Sequence, residues 1–95
     1  MGRSGSPPSL QAVAFVYLLR CADGSLYCGW TTDVERRVAA HNTGRASRYT
    51  ARRLPVEVAA SWELESERAA RSLEWRIKRL SRAQKLALLG GASLP

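Results

Sequence analysis

Apolar positions along the chain follow a period of two in some stretches and of three to four in others. Ala14–Arg20 (AFVYLLR) is apolar and β-prone, and Ser25–Trp30 (SLYCGW) is a second such run. Cys21-Ala22-Asp23-Gly24 between them is turn-forming, so the pair predicts a β-hairpin. Val56, Val58, Ala60, Trp62 and Leu64 alternate with mostly polar neighbours, the pattern of a half-buried strand over Val56–Leu64. Thr32 with Glu35 fits a capping box opening a helix that runs to Asn42, where Asn42-Thr43-Gly44 ends it. Ser66 caps a longer helix reaching about Leu80, with the stripe Ala69/Ala70, Leu73, Ile77, Leu80 at spacings of three and four. Ser81 with Gln84 fits a further capping box, for a last helix over Arg82–Leu89. Thr43–Leu54 reads as a loop. The order β-β-α-β-α-α predicts an α+β domain, a three-stranded antiparallel sheet flanked by helices.

The hairpin register decides which side chains share a face, and two registers are open. A two-residue Asp23-Gly24 turn sets Tyr27 opposite Arg20 and sends Tyr17 and Tyr27 to opposite faces. A three-residue loop, Ala22-Asp23-Gly24, has glycine at the left-handed position of a type I turn plus bulge. It pairs Leu19 with Tyr27 and Tyr17 with Gly29, so both phenols point one way and Gly29 leaves space beside Tyr17. Cys21 and Cys28 then lie on opposite faces and cannot bond to each other. The sequence does not choose between the two.

Composition adds further constraints. At 95 residues there is room for one domain, which buries roughly 60–65% of its unfolded surface, so a shallow groove is expected rather than an enclosed pocket. Residues 1–12 read as a disordered leader, 13–89 as the domain and 90–95 as a flexible tail. Fifteen Lys+Arg against eight Asp+Glu give a net charge of +7, mostly arginine, which favours a polyanion and above all nucleic acid. No apolar run reaches the ~20 residues of a membrane span, and no secretory signal is visible. The two cysteines are too few for a Cys₄ zinc site, and a cytoplasmic protein with reduced thiols is the default.

Several residues are candidates for chemistry. Arg37 and His41 are four apart on one helix and project from the same side. Glu74 lies between Ala70 and Ile77, at the edge of the buried stripe, where a carboxylate needs a partner. That partner is a cation, or Lys78 or Arg71 in an ion pair. Arg45, Arg48, Arg52 and Arg53 crowd the loop around Tyr49, a mix suited to backbone contacts with a nucleic acid, with Tyr49 able to stack on a base. Lys78 extends the basic surface. Trp30, Trp62 and Trp75 are assigned to the core.

Phe15-Val16-Tyr17, followed by Tyr27-Cys28-Gly29, resembles the two signature tripeptides of the GIY-YIG nuclease superfamily. The Arg37-x-x-x-His41 helix and the later Glu74 complete the resemblance, which is closest to small stand-alone bacterial members related to junction-endonuclease nuclease subunits. The first tripeptide lacks Gly-Ile, and Cys28 stands where an aliphatic residue is usual. The resemblance implies an endonuclease that hydrolyses phosphodiester bonds, structure-selective or weakly selective, with a place in DNA repair or recombination. It implies catalytic roles for Tyr17, Tyr27, Arg37, His41 and Glu74. Glu74 would hold a divalent metal, Mg²⁺ or alternatively Mn²⁺, with water and phosphate oxygens filling its other positions. Tyr27 would be the general base, a role that calls for nearby cations because a free phenol ionises near pH ~10. Gly29 and Asn42 would have structural roles at the site. The expected partner is nucleic acid, DNA favoured over RNA, with no membrane and with room for a partner protein or homodimer. The alternative is a non-catalytic nucleic-acid-binding module on the same fold.

Overall fold

The computed structural model describes residues 13–95. The expected leader over 1–12 lies outside them. Three strands, β1 (Ala14–Arg20), β2 (Leu26–Thr31) and β3 (Glu57–Leu64), form one antiparallel sheet in the order β2-β1-β3. The described residues also form four helices: α1 (Val34–Asn42), α2 (Arg48–Ala51), α3 (Glu67–Lys78) and α4 (Arg82–Leu89). The architecture is the expected α+β sheet with helices, plus one short helix, α2.

β1 is central because it is apolar on both faces, and a strand covered on both sides reads as a continuous apolar run. One face carries Ala14, Val16 and Leu18, which pack with Cys28 of β2 against Ala70, Leu73 and Ile77 of α3 and Leu88 of α4. The other carries Tyr17 and Leu19, which cluster with Cys21 and Val56 and with the half-buried Tyr27, Val38 and Leu54. Helices α3 and α4 therefore cover one face, and α1 covers the other through Val38. Full burial of Leu18 or Leu73 stabilises by roughly 1.5–3 kcal/mol each.

The hairpin adopts the three-residue register, with Tyr17 opposite Gly29 and Leu19 opposite Tyr27. Gly24 supplies the left-handed conformation that this turn needs, at φ 84°. Cys21 and Cys28 sit in different clusters as free thiols.

Four local expectations are corrected. The cap of α1 is Asp33, whose carboxylate accepts from the Arg36 N–H at 3.1 Å, not Thr32. The buried Thr31 hydroxyl accepts from the Asp33 N–H at 3.1 Å and sets the helix start one residue later. The loop Thr43–Leu54 contains α2, capped by Ser47. The alternation along β3 hides a bulge. Leu18 pairs with Ala60 but Leu19 with Val58, so Ala59 is extra and Val56 joins the Tyr17 cluster rather than the Ala60 face. Trp75 is 61% exposed, because it falls on the far side of α3 from the Ala70–Leu73–Ile77 stripe. There it lies under Arg79, 4.6 Å from the ring centre. The expected cap Ser66 and the expected box Ser81–Gln84 both form, the box with both reciprocal bonds.

Candidate active site

The hairpin register points Tyr17 and Tyr27 to the α1 face. Gly29, opposite Tyr17, leaves the room that the phenol fills: a Cβ there would stand 2.5 Å from the Tyr17 hydroxyl oxygen and 2.7 Å from Cζ. Across this opening α1 delivers His41. Its Nε2 lies 2.9 Å from the Tyr17 hydroxyl, and its ring meets Tyr17 and Tyr27 edge-on, with centres 5.8 and 5.3 Å away. Arg37, one turn earlier, lies beside the Tyr17 phenol with its side chain exposed to solvent. Asn42 ties the end of α1 to the lead-in of β3. Its Nδ2 donates to Val56 O at 3.0 Å, and its Oδ1 accepts from Val56 N at 2.8 Å.

Burial governs the titration of the central pair. It pushes the Tyr17 phenol up to about 12, against the pull of Arg37. It also holds the His41 imidazole below its ordinary 6.5, with the Arg37 charge acting the same way. The histidine is therefore neutral at neutral pH. It is 1% exposed and both ring nitrogens are engaged, Nδ1 with Thr50 Oγ1 at 2.8 Å. No ring nitrogen is left over for a phosphate.

Helix α2 closes the site from the side. Tyr49 stacks on Tyr27 with centres 5.8 Å apart, and the Arg53 guanidinium lies over the Tyr49 ring at 3.8 Å. Arg53 also donates to Asp23 Oδ2 at 3.0 Å and to the Tyr49 carbonyl at 2.9 Å, which fastens α2 to the hairpin turn. A base stacking on Tyr49 would compete with Arg53 for the ring. Arg45 donates to Thr43 at 3.2 Å, while Arg48 and Arg52 are exposed. A shallow groove beside Tyr49 is lined by Ser25, Leu26, Arg82 and Lys85.

Glu74 comes from the opposite face of the sheet and meets this group at the outer edge of β2, the edge strand among the described residues. Burial first, and the Glu74 carboxylate next, push the Cys28 thiol up to about 12, which sets Glu74 against that strand. Its carboxylate, 21% exposed, pairs with Lys78 at 3.3 Å, and the Lys78 ammonium lies 5.8 Å from the Tyr27 ring centre. Arg71 pairs with Glu67 instead. Tyr17, Tyr27, Arg37 and His41 thus come together directly, and Glu74 joins them through Lys78. No group of three or more His, Cys, Asp or Glu side chains forms a metal cage among the described residues. The donor set fits a hard cation that takes one carboxylate and fills its other positions with water and phosphate oxygens.

Comparison with known families decides the lineage. The GIY-YIG catalytic domain matches residues 13–87. The chain belongs to the GIY-YIG family. Its relatives include the UPF0213 protein YsiG of Lactococcus lactis, 49% identical over 76 residues that cover 79% of this chain and 73% of that protein. A UPF0213 protein of Halobacterium salinarum is 51% identical over 73 residues, 77% of this chain and 95% of its own. The solution structure of the UPF0213 protein BH0048 from Bacillus halodurans superposes with a TM-score of 0.54 at 42% identity, covering 81% of this chain and 82% of that one. This is a small GIY-YIG domain of a nuclease family. Two polar residues among the loop arginines, suited by type to phosphate and sugar contacts, turn inward instead. Thr50, which holds His41, and Ser47, which caps α2, lie in a four-residue helix too short to show a period.

Proposed function

We propose that this GIY-YIG protein is a metal-dependent endonuclease that hydrolyses phosphodiester bonds in DNA, with structure-selective or weakly selective cutting and a cytoplasmic role in repair or recombination. The observation that carries the reading is the convergence of both hairpin phenols on His41, with the exposed Arg37 guanidinium one helical turn away.

Each residue has a role that its surroundings support. Arg37 clamps the phosphate and stabilises charge on its oxygens as water attacks. Tyr17, held neutral by burial and fixed by His41, orients the attacking water. His41 acts through Tyr17, since its own nitrogens are engaged. Tyr27, half-buried and beside the Lys78 ammonium, acts in its phenolate form and takes the proton of the attacking water as the water oxygen bonds to phosphorus and the bond to the leaving oxygen breaks. Glu74 would hold a Mg²⁺ or Mn²⁺ ion, which when bound supplies Lewis-acid stabilisation of the leaving oxygen. Arg48 and Arg52, with Arg45, Arg53, Tyr49, Lys78, Arg82 and Lys85 around the site, supply backbone contacts.

A nicking assay on branched, flapped and single-stranded DNA with Mg²⁺ tests the reading. Glu74→Ala should abolish cleavage while binding persists. Loss of binding with unchanged cleavage per bound complex overturns it. The Glu74–Lys78 ion pair favours one second reading, a non-catalytic nucleic-acid-binding module in which this carboxylate only anchors Lys78. In that case wild type binds and does not nick.

A further inference from the structure

We propose that Thr50 is a positioning residue that fixes the tautomer of His41 and so the direction in which the Tyr17 hydroxyl points, an inference that rests on the nuclease reading for its catalytic consequence but not for its geometry. Four groups stand in line. Arg37 lies beside the Tyr17 phenol, Tyr17 Oη is 2.9 Å from His41 Nε2, and His41 Nδ1 is 2.8 Å from Thr50 Oγ1. The Thr50 hydroxyl donates to the Ser47 carbonyl at 3.3 Å.

The two ends set the polarity. A carbonyl oxygen only accepts, so the Thr50 proton goes to Ser47 and the Thr50 oxygen turns its lone pairs to His41. Nδ1 is then the protonated nitrogen, and Nε2 accepts from Tyr17. At the other end a guanidinium only donates, so Arg37 cannot take the Tyr17 proton. Tyr17 is 1% exposed, and His41 Nε2 is the acceptor within reach of its hydroxyl. With the opposite tautomer the Tyr17 proton would be a buried donor without a partner, which is costly. Every hydroxyl and imidazole proton in the chain therefore points from Tyr17 toward Ser47, and the lone pairs of Tyr17 face the site.

The placement of Thr50 suits this task. It is 0% exposed, and it sits on α2 because Ser47 both caps that helix and presents the terminal carbonyl. Removing the hydroxyl leaves Nδ1 without an acceptor. Nδ1–H is then as unpaired as the Tyr17 proton would be in the other tautomer, in which Nε2 donates to Tyr17, so neither form is enforced. In that second form Tyr17 presents the wrong polarity to the attacking water.

The protein has a single histidine, so its two imidazole nitrogens are assigned without ambiguity in a long-range ¹H–¹⁵N correlation spectrum of the full chain. At neutral pH, wild type and Thr50→Ser should show a protonated Nδ1 and a bare Nε2. The near-isosteric Thr50→Val should show a mixture of both tautomers with its amide spectrum otherwise preserved. Cleavage should survive in Thr50→Ser and fall on the order of 10- to 100-fold in Thr50→Val, the range for partners that orient a functional histidine. A wild-type spectrum with protonated Nε2 overturns the proposal even if Thr50→Val fails to fold. So does a folded Thr50→Val whose imidazole pattern matches wild type. The spectrum needs no enzymatic activity, so an inactive wild type with protonated Nδ1 would sink the nuclease reading and leave the tautomer assignment standing.

Discussion

Replacing Gly29 by alanine should damage the site with one added carbon. The backbone at Gly29 is not in the left-handed region, so strain there is not the issue. The new Cβ would lie 2.5 Å from the Tyr17 hydroxyl oxygen. Unstrained contacts settle near ~3.5 Å, so the tip of the ring must retreat by roughly 1 Å. It has little room, because Tyr17 is 1% exposed and His41 stands 2.9 Å away. Overpacking of this kind costs about 1–3 kcal/mol. The loss of glycine's freedom in the unfolded chain offsets ~0.4–1 kcal/mol. The net destabilisation is roughly 1–2 kcal/mol, a fall in Tm of about 4–15 °C for a domain of this size. Cleavage should fall more steeply, on the order of 100-fold, because a misplacement of ~1 Å near the reacting atoms has that effect. Thermal and urea denaturation read the first number, and DNA nicking reads the second. Tyr17→Leu provides the control: in that background Gly29→Ala should cost little stability, since the ring it strikes is gone. Equal destabilisation in both backgrounds, or an alanine variant as stable and active as wild type, refutes the reasoning.

Two other perturbations have definite expectations. Asn42→Ala removes both hydrogen bonds to Val56 and should cost about 1–3 kcal/mol by urea denaturation, with Asn42→Asp recovering little because its carboxylate would face the Val56 carbonyl. Folded His41 titrates below 6.5, so as pH falls through that value the unfolded chain takes up the proton first. The contribution of His41 to stability is therefore complete above 6.5 and is lost progressively below it, down to the depressed folded value. The urea midpoint should drop as the pH falls below about 6.5, and His41→Gln should flatten that slope.

How much of this was legible in the sequence depended on the range of the signal. Regular elements showed because their periods extend over many residues. The Ala70–Leu73–Ile77 stripe of α3 and the Ser81–Gln84 box of α4 are local statements, and both hold. The shared face of Tyr17 and Tyr27 was readable only as one of two registers, since a single glycine decides between them. The bulge at Ala59 left no trace, because an inserted residue between two apolar runs looks like unbroken alternation. Trp75 misled because tryptophan is usually buried, whereas its angle on α3 turns it outward. The reach from Arg37 to His41 could be seen within one helix. The bond from His41 to Thr50 could not, because it joins α1 to a helix of four residues whose existence depends on the Ser47 cap.

The free border of β2 has a consequence for assembly. The acidic side chain of α3 and the phenols of the hairpin belong to opposite layers and communicate only around that border. On the nuclease reading, a neighbouring molecule that lengthened the sheet there would obstruct the path between them, so strand-paired self-association compatible with cleavage would use the far margin, along β3.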